Sequence, residues 1–174
     1  MKKSLLIIFV LLISSSLFAD DFVSQFIDTY VEEKRPVNNV NIGKTMLKKM
    51  VEDVEDAELK TLLKELNHIR MVITENRKDA KYYFKKANEL VDKEFSDYEK
   101  MLSVDERKSK VEVLFKEIDK DNQNIILIAL DNDRKLTIIS VSGKVDFNSI
   151  SKLSDLLNEE IFSSGTNNEH NRER

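Results

Sequence analysis

Apolar residues recur at helical spacing in three stretches of the chain. The first stretch, from Asp20 to Val31, has the single stripe of a short amphipathic helix, and Pro36 ends any helix before it. A second, "KTMLKKMVEDVEDAELKTLLKEL", carries two apolar sets with a second helix start near Asp56. A third, "KDAKYYFKKANELVDKEF", has one long stripe. The pattern therefore predicts four helices before residue 96.

The remaining segments have the alternation of strands. After the brief extended segment "VNNVNI", the clearest runs are "HIRMVIT", "YEKMLS", "VEVLFKEI", "NIILIAL" and "KLTIISVSG". The last four are separated by short polar breaks that join antiparallel neighbours. A final helix is predicted from about Asp146 to Ile161. The expected fold class is α+β: a mainly antiparallel sheet of four to six strands with helices packed against one face, a two-layer sandwich.

The strand "NIILIAL" does not fit a two-layer sandwich simply, because both of its alternating sets are apolar. Either the strand is central and covered on both faces, or its second face meets a partner or a ligand. Leaving a row such as Ile126, Ile128 and Leu130 in water would forgo about 1.5 to 3 kcal/mol per side chain. These three residues are therefore the candidate interaction face.

The N-terminus has the pattern of a secretory signal peptide. Lys2 and Lys3 precede an apolar run and a group of small residues, and Ala19 stands before two acids. The alternative is a retained membrane anchor, for which the apolar run is short. We expect a signal peptide over residues 1–19, a single α+β domain over 20–162 and a disordered tail over 163–174.

Export and composition exclude several classes of function. The chain has no Cys, so it has neither a disulfide nor a thiolate metal site. It carries 28 Lys and Arg against 32 Asp and Glu, and removal of Lys2 and Lys3 makes it more acidic still. Nucleic acid and anionic membrane are repelled on average. We expect a periplasmic or extracellular protein with no nucleic-acid or nucleotide partner, attached to a membrane only through an uncleaved signal peptide.

Two fragments suggest ion or nucleotide chemistry and fail on position. An EF-hand loop from Asp119 needs Gly at its sixth place and Glu at its twelfth, where the chain has Asn124 and Leu130. "GKT" at residues 43–45 matches the end of a phosphate-binding loop, but the earlier glycine of that motif falls on Asn38. We expect no metal and no cofactor, and we interpret the acidic residues as hairpin turns.

Catalytic residues are not evident either. His68 and His170 have no ligand spacing, and His68 is best interpreted as a cap or surface residue. Ser140 and Ser142 lack a G-x-S-x-G elbow, and a partner histidine for them would have to be His68. Carboxylate pairs abound, but none can be singled out as a glycosidase-type pair. We expect a non-catalytic protein with no catalytic residues.

The order of elements resembles a known family. "VNIGKTMLKKM", "LKELNHIRMVIT" and "NIILIALDNDRKLTIISVSGKVDFNSISKL" are similar to the domain-of-unknown-function 4252 family, small exported bacterial envelope proteins. The resemblance implies an exported single α+β domain without an agreed enzymatic activity. It also implies an accessory or sensor role in envelope signalling, and it supplies no site residues.

Three hypotheses of function follow. The first is a non-catalytic interaction or signalling-accessory domain that binds an envelope protein or a second copy through its apolar sheet face. The second is a small module that holds a lipid or other apolar ligand between sheet and helices. The third is a hydrolase whose carboxylates converge only in the fold, which requires a cleft with at least two carboxylates of perturbed pKa.

Overall fold

The computed structural model describes residues 21–107 and 109–145 of the chain. Four helices and six strands lie in these ranges. The helices are α1 (Phe22–Tyr30), α2 (Lys44–Asp53), α3 (Ala57–Glu65) and α4 (Arg77–Glu94). The strands are β1 (Asn38–Gly43), β2 (Leu66–Thr74), β3 (Glu99–Asp105), β4 (Lys110–Asp119), β5 (Asn122–Asp131) and β6 (Lys135–Gly143).

The six strands form one antiparallel sheet in the order β1-β2-β6-β5-β4-β3. The short polar breaks join β3, β4, β5 and β6 as sequential neighbours, while β6 returns to pair with β2 in the middle of the sheet. The α+β class and the mainly antiparallel sheet with helices against it are confirmed. Strands β5 and β6 are central, so both of their faces need cover.

Helices α1 and α4 cover one face of the sheet. Their apolar stripes meet the alternate positions of the central strands in one cluster. Its sheet residues are Val72, Leu114, Ile126, Ile128, Leu130, Leu136 and Ile138. The ring of Tyr83 is fully buried there, and its hydroxyl donates to the Arg35 carbonyl oxygen at 2.8 Å and accepts from the Glu32 amide at 3.1 Å.

The interaction face predicted from the sequence is not exposed in the structure. Ile126, Ile128 and Leu130 are 1 %, 0 % and 3 % exposed, and they pack beneath the chain's own helices. The strand has two apolar faces because it is central, which was the other alternative. These three residues contribute to the stability of the fold and leave no surface for a partner.

Helices α2 and α3 lie on the opposite face. The described part of the fold therefore has three layers, with the sheet between two layers of helices. Leu47, Met50, Leu62 and Leu63 pack there against Ile69, Met71 and other alternate strand positions. The prediction of helices on one face only was too simple, because "HIRMVIT" buries Val72 as well as the opposite set. Asp56 begins α3 as predicted, since its side chain accepts from the Leu59 amide at 2.7 Å.

Three predicted segments lie outside the described residues: the signal peptide over 1–19, the final helix from Asp146 and the tail over 163–174. Within the described ranges, no helix combines the length and apolar character needed to cross a bilayer.

Candidate functional site

The face beneath α1 and α4 changes from apolar to polar along its strands. In β6 the inward positions run from Leu136 and Ile138 to Ser140 and Ser142. In the antiparallel neighbour β5 they run from Ile126 to Asn124. Among the described residues, α1 begins at Phe22, and Asp21 at its N-terminus contacts Ser140 in this polar part of the face.

A cavity of about 320 Å³ occupies this position. We call it the polar cavity, and it is lined by residues from α1, β2, β4, β5, β6 and the segment before β3. Its polar lining consists of Asp21, Asn67, His68, Tyr98, Asn122, Asn124, Ser140 and Ser142. Phe22 and Ile118 add apolar surface. A concave site with a few convergent polar groups is the usual form of a small-molecule site.

Asp21 anchors α1 to the sheet at the edge of the cavity. Its side chain caps the helix by accepting from the Ser24 amide at 3.0 Å. The same carboxylate accepts from the Ser140 hydroxyl at 2.6 Å and pairs with Arg70 Nη1 at 3.1 Å. One residue thus joins the N-terminus of α1 to β2 and β6.

Electrostatics keep Asp21 ionised. Burial by itself would raise the pKa of this carboxyl, since its side chain is 8 % exposed. The contacts from His68, Ser140 and Ser24 and the positive charge of Arg70 together outweigh burial and lower the pKa of Asp21 from 3.8 to about 2. The site therefore holds a fixed negative charge, matched by the guanidinium beside it.

His68 and Ser142 lie opposite each other on β2 and β6. Ser142 Oγ is 2.7 Å from His68 Nδ1, and His68 Nε2 is 3.6 Å from Asp21 Oδ1. In the tautomer that carries its proton on Nε2, which faces the carboxylate, Nδ1 accepts from the Ser142 hydroxyl. The three side chains form a chain of polar contacts along the cavity wall.

Neutral donors and acceptors complete the lining. Asn67 Nδ2 donates to Asn122 Oδ1 at 2.9 Å, and Asn124 Nδ2 donates to the Tyr98 hydroxyl at 3.2 Å. Burial raises the pKa of Tyr98 above its ordinary value of 10.0, so the phenol keeps its proton at neutral pH. Asn67 and Asn124 each use one of their two amide protons in these bonds.

The structure brings together three residues that the sequence analysis set aside. His68, Ser140 and Ser142 share one cavity, although the residues around them match no catalytic motif. Asp21, Arg70 and Asn124 were not identified from sequence. Asp21 also caps α1. The alternation of β2, β5 and β6 could have placed the other side chains on one face, but only with the strand register known.

The metal and nucleotide fragments have structural roles. Asp119 forms its own turn by accepting from the Asp121 amide at 2.9 Å, and Asn132 and Asp133 take φ of 49° and 58° in the next hairpin. Lys44 donates to the carbonyl oxygens of Lys64 and Leu66 at the end of α3. Among the residues in the described ranges, no group of three His, Asp or Glu side chains could hold a metal ion.

Comparison with known protein families identifies a family for this chain. The family model described as domain of unknown function DUF4252 matches residues 30–153. The chain belongs to the DUF4252 family. Every polar residue of the cavity lining except Asp21 lies inside the range that matches DUF4252, as does Arg70, while Asp21 precedes that range. No curated protein and no solved structure matches the chain.

Proposed function

We propose that this DUF4252 protein is an exported domain of the bacterial envelope that binds a small uncharged ligand in the polar cavity. One observation carries the proposal. An otherwise apolar, helix-covered sheet face ends in hydroxyl, amide and imidazole groups that line one cavity. The convergence of so many hydrogen-bonding groups in one concave site favours a ligand that binds to them.

Charge and polarity define the ligand class. Among the described residues that line the cavity, Asp21 is the one carboxylate, and its charge is offset by Arg70 at 3.1 Å. The serines and asparagines are neutral, and Tyr98 is protonated. A cationic ligand would have to compete with Arg70 for Asp21, an anionic ligand would be repelled by Asp21, and either would lose hydration on entry. The site therefore favours a neutral molecule rich in hydroxyl or amide groups.

This proposal takes the place of two hypotheses drawn from the sequence, an interaction protein and a module for an apolar ligand. The interaction hypothesis was motivated by the doubly apolar strand β5, whose row of Ile126, Ile128 and Leu130 is buried under α1 and α4. The apolar-ligand hypothesis placed its ligand between sheet and helices, where the cavity described above has a mainly polar lining. The polar cavity does not support a hydrolase with a carboxylate pair, because its lining within the described ranges contains a single carboxylate, that of Asp21. Export rests on the signal-peptide pattern of residues 1–19.

The proposal is tested by affinity selection of small molecules. The mature chain would be mixed with the low-molecular-weight fraction of an envelope extract, separated by gel filtration and analysed by mass spectrometry for retained compounds. Asn124→Ala removes an amide from the cavity wall, and Asn41→Ala removes an exposed amide from the edge strand β1 as the matched control.

The expected result is a neutral compound retained by the wild type and by Asn41→Ala and lost from Asn124→Ala. No retained compound, or equal retention by both variants, counts against a ligand site in the polar cavity. Retention of a strongly charged compound would overturn the proposed ligand class.

A further inference from the structure

The contacts of Ser142 allow more than binding. Its hydroxyl is 2.7 Å from His68 Nδ1, the distance of a short hydrogen bond between a nucleophile and its base. The second ring nitrogen faces the buried carboxylate of Asp21 at 3.6 Å. A histidine held between a hydroxyl and a carboxylate is the arrangement that activates serine nucleophiles on many unrelated folds.

The strand register places a hydrogen-bond donor on the other side of Ser142. In the sheet, Ser142 pairs with His68 on β2 and with Asn124 on β5. Side chains of such cross-strand partners lie about 4.5 to 5.5 Å apart at Cβ. The hydroxyl therefore stands between a base and a side-chain amide, and all three groups line the same cavity. An amide in this position can donate to the oxygen of a reacting carbonyl.

We propose that Ser142 is an acyl-accepting nucleophile, with His68 as its general base, and that small neutral carboxylic esters are the substrate class. This goes beyond the binding role and departs from the sequence-based expectation of a non-catalytic protein. It uses only groups already present in the cavity. Asp21 is a positioning residue that holds the imidazole tautomer and faces the imidazolium when it forms.

The reaction balances without a cofactor. The Oγ lone pair of Ser142 attacks the carbonyl carbon while its proton moves to His68 Nδ1. The C–O bond to the alcohol then breaks, and the alkoxide takes that proton from Nδ1 and leaves. Water attacks the resulting acyl-serine ester, its proton passes to Nδ1, and the bond between the acyl carbon and Oγ breaks. The proton returns to Oγ, which gives a carboxylic acid and free Ser142.

The experiment uses the full mature chain and two named probes. A fluorophosphonate reports a serine nucleophile by covalent attachment, located by peptide mass mapping, and 4-nitrophenyl acetate reports ester hydrolysis. The variants are Ser142→Ala and His68→Gln, and Ser103→Ala on the exposed strand β3 is the control. Circular dichroism melting checks that each variant is folded.

The proposal predicts attachment to Ser142 in the wild type and in Ser103→Ala, and none in Ser142→Ala. Loss of the base should slow hydrolysis by about 100-fold or more.

No attachment in the wild type, attachment at another residue, or an undiminished rate in His68→Gln would each overturn the assignment. The wild-type mapping decides even if a variant fails to fold. Ligand retention by affinity selection needs no reaction, so a negative result here leaves the binding proposal to its own test.

Discussion

Asp21→Asn isolates the charge of the residue that joins α1 to the sheet. Asparagine caps helices about as well as aspartate, so the bond from the Ser24 amide can be kept. The negative charge is lost, and with it the partner of Arg70 at 3.1 Å. One oxygen also becomes an NH₂ group, which faces either Arg70 or the donating hydroxyl of Ser140.

The pKa of Asp21 sets the magnitude. A fall from 3.8 to about 2 corresponds to about 2 to 3 kcal/mol of folding free energy at neutral pH, at about 1.4 kcal/mol per pKa unit. Asp21→Asn should therefore lower the free energy of unfolding by about 2 to 3 kcal/mol at pH 7. The same range is found for hydrogen bonds to charged groups.

The pH dependence has a definite sign. Because the folded-state pKa lies below the unfolded value of 3.8, the contribution is fully present above about pH 5 and is lost as the pH falls through the folded pKa of about 2. The difference between wild type and variant should shrink to less than about 1 kcal/mol near pH 2. Other acids titrate in both proteins and cancel in the difference.

Urea unfolding followed by circular dichroism at a series of pH values measures these differences. Asp56→Asn is the matched control, because Asp56 also caps a nine-residue helix, in an exposed setting. It should cost less than about 0.5 kcal/mol. If Asp21→Asn costs no more than Asp56→Asn at pH 7, or if its cost does not change between pH 5 and pH 2, the reasoning is refuted.

Four further predictions concern packing and processing. Gly143→Ala should lower the free energy of unfolding by more than about 2 kcal/mol, because φ of Gly143 is +135° and an added Cβ would lie 2.5 Å from the Glu65 carbonyl oxygen. Gly43→Ala has open space around it and should cost under about 1 kcal/mol in urea unfolding. Equal costs for the two variants would contradict the close approach at Gly143. Ile128→Ala should cost about 2 to 5 kcal/mol at 0 % exposure, against under about 0.5 kcal/mol for Ile118→Ala at 52 %, and a small effect at Ile128 would put the row outside the core. Tyr83→Phe should cost about 1 kcal/mol through its two lost hydrogen bonds, whereas an unchanged midpoint would show that they contribute nothing. Cells that express the full chain should yield a mature protein that begins at Asp20 by intact mass, and retention of residues 1–19 would refute the signal peptide.

Local patterns were enough to predict the elements and the fold class. Helical stripes, the cap at Asp56 and the polar breaks between strands all depend on neighbours within a few residues, and the structure has them where the sequence predicts them. The cover of both sheet faces was harder to predict, because it depends on β6 returning to pair with β2. That pairing is long-range and makes β5 and β6 central.

The candidate site could be predicted only in part. His68, Ser140 and Ser142 were considered as residue types, but sequence spacing does not reveal that His68 and Ser142 are cross-strand partners. Asp21 is 119 positions away from Ser140 in the chain, and their hydrogen bond depends on where α1 packs. A site assembled from five or more elements requires the register of the sheet before its chemistry can be described.

The most direct test of the binding site is amide NMR of the ¹⁵N-labelled mature chain during titration with neutral probes, N-acetylglucosamine and N-acetylalanine methylamide. If the polar cavity binds neutral ligands, saturable shifts should cluster at Asn67, His68, Asn124 and Ser142 and should disappear in Asn124→Ala. Shifts that lie elsewhere on the sheet would contradict a binding site in the polar cavity. A site for small uncharged ligands would also be contradicted if neither neutral probe shifts these amides while acetate or methylammonium does.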